Sequence, residues 1–335
     1  MSTFSTPLVS IIIPTYNRAD MLANAIESAI KQTYVNKQII IVDDGSVDET
    51  RELVAQYPQV EYIFQTNAGQ GKARNTGLQM AKGIYIASLD SDDIWNDDFI
   101  ERCVEKLEKD NVGFVFANWT QINNDEKSYD FFVESTILNN HIPSNNTKTW
   151  VSLDNEKLRE IYLKICPSPS SSFVFRKHPT LQWSSHFEIA DDWCLLLDMI
   201  LVNGYNAAFT TDRLWTKRVA NQNVYEGKDL IEILEHLHIK DLSSILERHR
   251  LNLRENEIAF LERDIYINIY KLYLHKLVGL KLTSNDHIKL KKALRLKPLL
   301  FVTASRMFIY FCIKENFKKA IYAASHVVSK LKGKR

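Results

Sequence analysis

Cysteine is scarce and scattered in this 335-residue chain: Cys103, Cys166, Cys194 and Cys312 are its four. No two stand at Cys-x-x-Cys spacing, which argues against a zinc knuckle and against a disulfide framework. Free thiols fit the cytosol. Long apolar runs are missing as well: none reaches the roughly 18 residues of a membrane-spanning helix. Met1 to Leu8 has neither the charged start nor the following apolar core of a secretory signal, so none is expected. There is no repeat of fixed period and no low-complexity tract. With 45% apolar residues the chain is neither disordered nor fibrous. Its length allows a substantial core and suggests two domains.

Net charge is nearly absent too, at +1, but it is unevenly spread. From Lys281 to Arg335 there are 14 Lys and Arg against two acids, Asp286 and Glu315, so this segment carries +12 and residues 1 to 280 carry −11. A basic tail on an acidic body points to a polyanionic partner, or else to solvated helix faces.

Hydrophobic patterning supplies the organisation. Val9 to Ile13, Gln38 to Val42, Tyr62 to Phe64, Ile84 to Leu89 and Gly113 to Ala117 read as strands. Helices are expected between them: one capped by Asp20, one running from Asp48 through Tyr57, one over Ala73 to Lys82 and one over Asn96 to Lys109. This alternation predicts a largely parallel sheet flanked by helices. Gln121 to Lys148 is polar and reads as a long excursion. Ser171 to Arg176 is strand-like, Asp191 to Leu201 helical, and Phe209 to Arg218 closes the region. Beyond Gly227 apolar residues recur at helical spacing, with helices expected over Glu257 to Leu280, Asp286 to Leu296 and Pro298 to Leu331.

Chemistry concentrates where the strands should end. Asp90-Ser91-Asp92-Asp93 follows the fourth strand, and Asp43-Asp44-Gly45-Ser46 follows the second. Open α/β sheets bind ligands in the crevice at these carboxyl ends. Asp90 and Asp92 could hold magnesium or manganese, which is normally bound by one or two carboxylates plus substrate phosphate oxygens. An EF-hand loop fails, because Trp95 stands where glycine is required and Ile94 replaces a ligand. Asp43 could accept hydrogen bonds from a nucleobase or ribose, or could sit in an ordinary Asp-Gly turn. Asn67-Ala68-Gly69-Gln70-Gly71-Lys72-Ala73-Arg74-Asn75 sets two glycines and two cations before a helix, an arrangement that favours phosphate. Its spacing is neither a Walker loop nor a dinucleotide fingerprint. Asp191-Asp192 opens a helix whose N-terminus favours ionised carboxylates. Pairing raises the proton affinity of one member, which suits a general base; simple capping is the alternative.

In order and spacing these pieces resemble the inverting glycosyltransferases of family 2, of the bacterial surface-polysaccharide type. The resemblance rests on Val9 to Asn17, Ile41 to Ser46, Asn67 to Gly69 with Ala73 to Asn75, Asp90 to Asp93, and Asp191 to Trp193, covering about residues 8 to 220. It implies a GT-A fold, meaning an α/β, Rossmann-like mixed and mostly parallel sheet flanked by helices. The implied catalytic domain spans 1–225, with a C-terminal helical, basic region at 226–335 outside the resemblance.

The resemblance also implies a nucleotide-sugar donor, a UDP-sugar by common usage, and a saccharide or lipid-linked acceptor. Pro14, Thr15, Tyr16, Asn17 and Asp43 fall where the family holds the base, with Asn67 and Gly69 beside them. Arg74 falls near the ribose and diphosphate. Asp90, Ser91 and Asp92 form the Asp-x-Asp element, with Asp92 the more direct ligand of Mn²⁺ or Mg²⁺ and Asp90 beside it. The catalytic base maps onto Asp192, and Asp191 replaces the family's usual Glu. The family's Arg-x-His is here Arg218-Val219-Ala220, without the histidine, so Lys217 and Arg218 are left to act through charge. Pro167 to Ser172 lies where the family often shapes the acceptor pocket, and Trp150, Trp183 and Trp193 are candidates to stack on sugar rings.

A sugar nucleotidyltransferase is the competing enzyme class, but it should carry a glycine-rich loop near the N-terminal strand, and Pro14 to Arg18 has none. A non-catalytic sugar-nucleotide-binding scaffold is the other alternative. The interleaved Lys, Arg and apolar residues of 281–335 suggest an anionic membrane surface, and a helical homo-oligomer is the competing use of that region. No nucleic-acid motif is present. The expected location is cytoplasmic, peripheral on the inner face of the membrane.

Overall fold

The computed structural model describes residues 6–122, 130–142, 150–187, 189–218, 228–278 and 283–308. The chain divides into two compact units, Met1–Gly227 and Lys228–Arg335.

The first unit is built on one mixed sheet. β1 (Val9–Thr15) is buried at every position, and β2 (Lys37–Asp43) at all but its first. Runs this apolar belong to strands covered on both faces. β1 pairs in parallel with β2 on one side and with β4 (Tyr85–Ser88) on the other, and β3 (Glu61–Phe64) pairs in parallel with β2. Thr15 stands beside Asp43, and Ile12 beside Ser88. The three segments leaving these strands, from Tyr16, Asp44 and Leu89, therefore emerge side by side at one edge.

Helices α1 (Ala19–Ile30), α2 (Thr50–Val54) and α3 (Gln70–Met80) link this half. α3 packs so tightly that a Cβ on Gly77 would stand 2.4 Å from Ile12 Cγ2, and one on Gly71 would stand 2.8 Å from the Ser184 carbonyl oxygen. Asp20 does not cap α1. The cap comes from Asp48, which accepts from the Ala19 amide at 3.0 Å and also receives the Thr50 amide at 3.2 Å. One carboxylate thereby ties the starts of α1 and α2 together. α2 ends at Val54, short of the expected Tyr57.

The other half is more mixed. β8 (Phe173–Arg176) runs antiparallel between β4 and β6 (Phe114–Ile122). β9 (Ala207–Arg218) runs parallel to β6, with register shifts around Asn118. β5 (Ile94–Trp95) and β7 (Trp150–Leu153) pair antiparallel with β9. Among the described residues the sheet order is β3-β2-β1-β4-β8-β6-β9-β5, with β7 added on β9. α4 (Phe99–Asp110), α5 (Phe131–Glu134), α6 (Thr136–Asn139), α7 (Asn155–Tyr162) and α8 (Asp191–Leu197) complete the unit, and α8 runs on as a π-helical turn over Asp198–Val202. The excursion expected over Gln121 to Lys148 thus contains the end of β6 and two short helices; 123–129 and 143–149 lie outside the described residues.

The second unit is helical: α9 (Leu230–Glu235), α10 (Leu242–His249), α11 (Glu255–Val278) and α12 (Ser284–Leu296), followed by a helix over 299–308. Reciprocal capping boxes start α9 at Asp229/Glu232 and α12 at Thr283/Asp286. Buried Lys276 of α11 bonds Glu235 of α9 at 3.2 Å and Asp286 of α12 at 3.1 Å. Ile267, Tyr270, Ala293 and Ala304 form a small core here. No helix among the described residues is long and apolar enough to cross a membrane. Residues 281–282 and 309–335 of the basic segment, and Ala220, lie outside the described residues.

Candidate active site

A cleft of about 940 Å³ opens at the carboxyl ends of β1, β2 and β4. It is lined by Pro14 to Arg18, by Asp44 with Asn67 to Gly71, by Asp90 to Asp93, and by Asp191, Asp192 and Lys217. Of the donor and metal residues expected from the sequence, Pro14, Thr15, Tyr16, Asn17, Asn67, Gly69, Arg74, Asp90, Ser91 and Asp92 all line it, as do Asp191 and Asp192. Asp43 and Arg218 are not among the lining residues.

Asp43 is buried, 1% exposed, and takes the Ser46 amide at 2.8 Å and the Tyr62 hydroxyl at 2.6 Å. Burial and this bond push the Tyr62 phenol well up. Asp44 is the member of the pair that reaches the cleft. It receives the Ala68 and Gly69 amides at 2.9 and 2.8 Å and so fixes the glycine loop before α3. Asn17 adopts the left-handed conformation (φ 49°), which asparagine tolerates. Its amide donates to Ser46 Oγ and its side chain accepts from the Val47 amide, so the first two loops are locked together. Tyr16 remains 48% exposed at the rim. Thr15 is buried, and its Oγ1 has no hydrogen-bond partner among the described residues.

Arg74 is the strut of the site. Its side chain is 2% exposed and lies 2.5 Å from Asp191 Oδ2, 2.7 Å from Asp90 Oδ1 and 3.6 Å from Asp192 Oδ1. Burial lowers a guanidinium's proton affinity, but the three carboxylates raise Arg74's well above its ordinary value. Burial pushes Asp191 up to about 7, with Asp192 and Asp90 adding to the rise and Arg74 opposing it. Asp92 is raised by burial and by Asp90, against Arg18, whose guanidinium is paired with it. Asp93 is raised well above the usual range by burial and by its two acidic neighbours.

The run Ser170 to Ser172 is fully buried, and its hydroxyls bond within the protein. Asp192 takes the Ser170 amide at 3.0 Å, the Ser170 hydroxyl at 2.5 Å and Trp183 Nε1 at 3.1 Å. Ser171 accepts from the Asp90 amide at 3.0 Å and donates to Asp93 at 2.6 Å. This turn therefore splints both acidic segments, and Pro169 beside it lines the cleft. Trp183 and Trp193 are buried, with Trp193 donating to the Tyr162 carbonyl at 2.6 Å, so neither presents a face for a sugar ring. Arg218 meets the site through its amide, 3.2 Å from Asp93. Arg18 joins the site without being a candidate from the sequence; Gln70, Asp93 and Ser170 stood there only within longer motifs, and Trp183, a candidate to stack on a sugar ring, instead orients Asp192. Arg18 adjoins the Pro14–Asn17 motif and Ser170 was visible only as part of a Pro/Ser run.

Six carboxylates (Asp44, Asp90, Asp92, Asp93, Asp191 and Asp192) line the cleft with three cationic side chains, Arg18, Arg74 and Lys217. Ligand oxygens of Asp90, Asp92 and Asp93 lie within 4.8 Å of one another. An excess of negative charge and an all-oxygen donor set fit a hard divalent cation such as Mg²⁺ or Mn²⁺.

A carboxylate cluster at the ends of parallel strands and a second acidic pair at a helix start sit on an α/β architecture of the GT-A type. Solved structures bear out the fold. S. aureus TarS 1–349 in complex with UDP-GlcNAc superposes with a TM-score of 0.58 at 18% identity, over 93% of this chain and 92% of that one. The mannosyltransferase PcManGT from Pyrobaculum calidifontis, in complex with GDP-Man and Mn²⁺, gives 0.54 at 17% identity, over 92% and 88%. Residues 10–167 match the family described as Glycosyl transferase family 2. Among curated proteins it is 38% identical over 141 residues to the UDP-Glc:alpha-D-GlcNAc-diphosphoundecaprenol beta-1,3-glucosyltransferase WfgD of Escherichia coli, covering 41% of this chain and 56% of WfgD. It is 43% identical over 108 residues to the chondroitin synthase of Escherichia coli, covering 31% of this chain and 16% of that protein. The chain thus spans about half or less of the length of these two relatives.

Proposed function

We propose that the first unit, about residues 1–225, moves a sugar from a nucleotide-sugar donor to a hydroxyl of a saccharide or lipid-linked acceptor in bacterial surface-polysaccharide or glycolipid synthesis, with inversion at the anomeric carbon. The observation that carries this reading is the pair of acidic groups joined by Arg74: Asp90 on one side, Asp191 and Asp192 on the other. Asp92 and Asp90 would hold Mn²⁺ or Mg²⁺. A divalent ion there supplies positive charge at the leaving diphosphate. Pro14, Thr15 and Tyr16, with the turn that Asp43 orders, would hold the base, and the unpartnered Thr15 hydroxyl is suited to a polar ligand atom. The guanidinium of Arg74 is committed to carboxylates, so it positions the acidic groups, and Lys217 is the cation that faces the cleft near Asp93.

Asp192 would take the proton of the acceptor hydroxyl as that oxygen attacks the anomeric carbon from the face opposite the nucleotide. One displacement of this kind inverts the anomer. TarS crystallised with UDP-GlcNAc, WfgD's UDP-Glc donor and PcManGT's Mn²⁺ support a donor of this class and a metal of this kind. Calorimetry with UDP-, GDP- and dTDP-sugars, with and without Mn²⁺, tests the reading. Metal-dependent binding of one nucleotide class, a UDP-sugar first, is expected. Folded protein that binds no donor would overturn it.

The second unit bears on the acceptor. Ile288, Leu296, Leu299 and Val302 are exposed, and Lys291, Lys292, Arg295 and Lys297 stand exposed among them. Aliphatic tips among cations suit an anionic bilayer surface, which would bring the enzyme to a lipid-linked acceptor. Each cation near such a surface adds about 1 kcal/mol. Reversing Lys291, Lys292 and Arg295 to Glu should therefore weaken sedimentation with phosphatidylglycerol vesicles about a hundredfold or more. Equal binding of wild type to phosphatidylcholine vesicles would contradict an electrostatic attachment.

A further inference from the structure

Three carboxylates whose ligand oxygens lie within 4.8 Å of one another repel strongly unless each is answered. Asp93 is answered by the Ser171 hydroxyl at 2.6 Å, the Arg218 amide at 3.2 Å and the nearby charge of Lys217. Asp90 is answered by Arg74 at 2.7 Å, and Asp92 by Arg18.

The two arginines are held very differently. Arg74 is enclosed at 2% exposure with three carboxylates within 3.6 Å, so moving it would strand buried charge. Arg18 has a side chain that is 20% exposed and lines the open cleft. Its backbone is anchored, because its carbonyl accepts from the Met21 and Leu22 amides at the start of α1. The side chain can thus change partners while the loop stays in place.

We infer that Arg18 is a built-in counter-ion for Asp92, displaced when a divalent cation binds, and that its displacement makes cation binding depend on the nucleotide. This rests on the reading of Asp92 as a metal ligand. A divalent cation on Asp92 and a guanidinium on the same carboxylate compete for one anionic site. In the protein alone, cation binding must first break the Arg18–Asp92 pair and leave the guanidinium beside the incoming charge. A nucleoside diphosphate changes this, because it brings phosphate oxygens into the cleft that Arg18 lines, and guanidinium pairs with phosphate through its planar fork. The released arginine then gains a new partner. Linkage requires the effect to be mutual: diphosphate tightens the cation, and the cation tightens diphosphate by the same factor. Arg18 is in this sense a positioning residue that sets the order of assembly.

The test measures Mn²⁺ binding to the full chain by the electron paramagnetic resonance of the unbound ion, first without nucleotide and then with UDP. Wild type, Arg18→Gln and Asp92→Asn are compared. Arg18→Gln should bind Mn²⁺ alone about tenfold tighter than wild type, and the further tightening by UDP should shrink by a similar factor, within the usual 5- to 150-fold range of coupling. Arg18→Met, which keeps the aliphatic stem, should behave in the same way. UDP without metal should bind more weakly to both variants. Unchanged or weaker Mn²⁺ binding in both, with the UDP effect intact, would overturn the inference while leaving the metal site standing. If Asp92→Asn binds Mn²⁺ as wild type does, with and without UDP, the metal-ligand reading itself fails and the inference with it.

Discussion

Replacing Asp192 with asparagine should lower sugar transfer about 10²–10⁴-fold, the usual worth of a positioned general base, and leave donor affinity within a few-fold of wild type. Asp192 has a side chain 17% exposed and is oriented by three donors, the Ser170 amide and hydroxyl and Trp183 Nε1. Its direction is therefore set by the Ser170 turn and by a buried indole, and asparagine has the same shape. The substitution removes the ability to accept a proton and disturbs at most one of these bonds. Losing an interaction made only in the transition state lowers kcat while leaving substrate binding alone. The measurement is kcat and KM for the donor, with calorimetry of the donor as the binding control. Undiminished kcat would place the base elsewhere, and loss of donor binding would show that Asp192 holds the donor. Ser170→Ala leaves the carboxylate chemically intact but removes its 2.5 Å donor, so a smaller fall in kcat is expected.

Much of this site could be read along the chain, because its motifs are contiguous and follow strands with strong signatures. β1, β2 and β4 are covered on both faces, and such strands are written as unbroken apolar runs. Their ends mark where Tyr16, Asp44 and Asp90 emerge. Features joining distant residues could not be read in that way. Arg74 looked like a donor contact from its local loop, yet its partners Asp90 and Asp191 lie 16 and 117 residues away. Asp48 caps α1 from 29 residues downstream, which displaced the nearer candidate Asp20. Asp43 and Asp44 are chemically alike, and only the turn at Gly45 (φ 88°) and the position of Tyr62 decide which one reaches the cleft. β8 reads as a strand, but its antiparallel insertion between β4 and β6 is a property of the pairing, which no single segment encodes.

The same geometry makes the first unit depend strongly on Arg74. Arg74→Met removes one positive charge from between Asp191, Asp90 and Asp192, and Asp191 is almost completely buried. Breaking a buried ion pair from one side costs about 3–5 kcal/mol. In a unit of this size that lowers the melting temperature by roughly 6–20 °C. The deficit should also depend on pH. Asp191 stands at about 7 with Arg74 in place, above its ordinary 3.8, and Arg74 is the group pulling it down. Without the guanidinium the folded-state value rises further while the unfolded value stays put. The folded variant then binds a proton that the unfolded chain releases, so its stability increases as pH falls from above the folded value toward about 4. The gap in melting temperature between wild type and Arg74→Met is therefore widest at pH 8 and narrower at pH 5. Carboxylates away from Arg74 titrate alike in both proteins and cancel in the difference. Arg74→Lys keeps a charge but cannot bridge two carboxylates with a planar fork, and it should fall between the two. A variant melting within a degree or two of wild type, with a gap indifferent to pH, would mean that the acidic groups are held by Ser170, Ser171 and Trp183 alone.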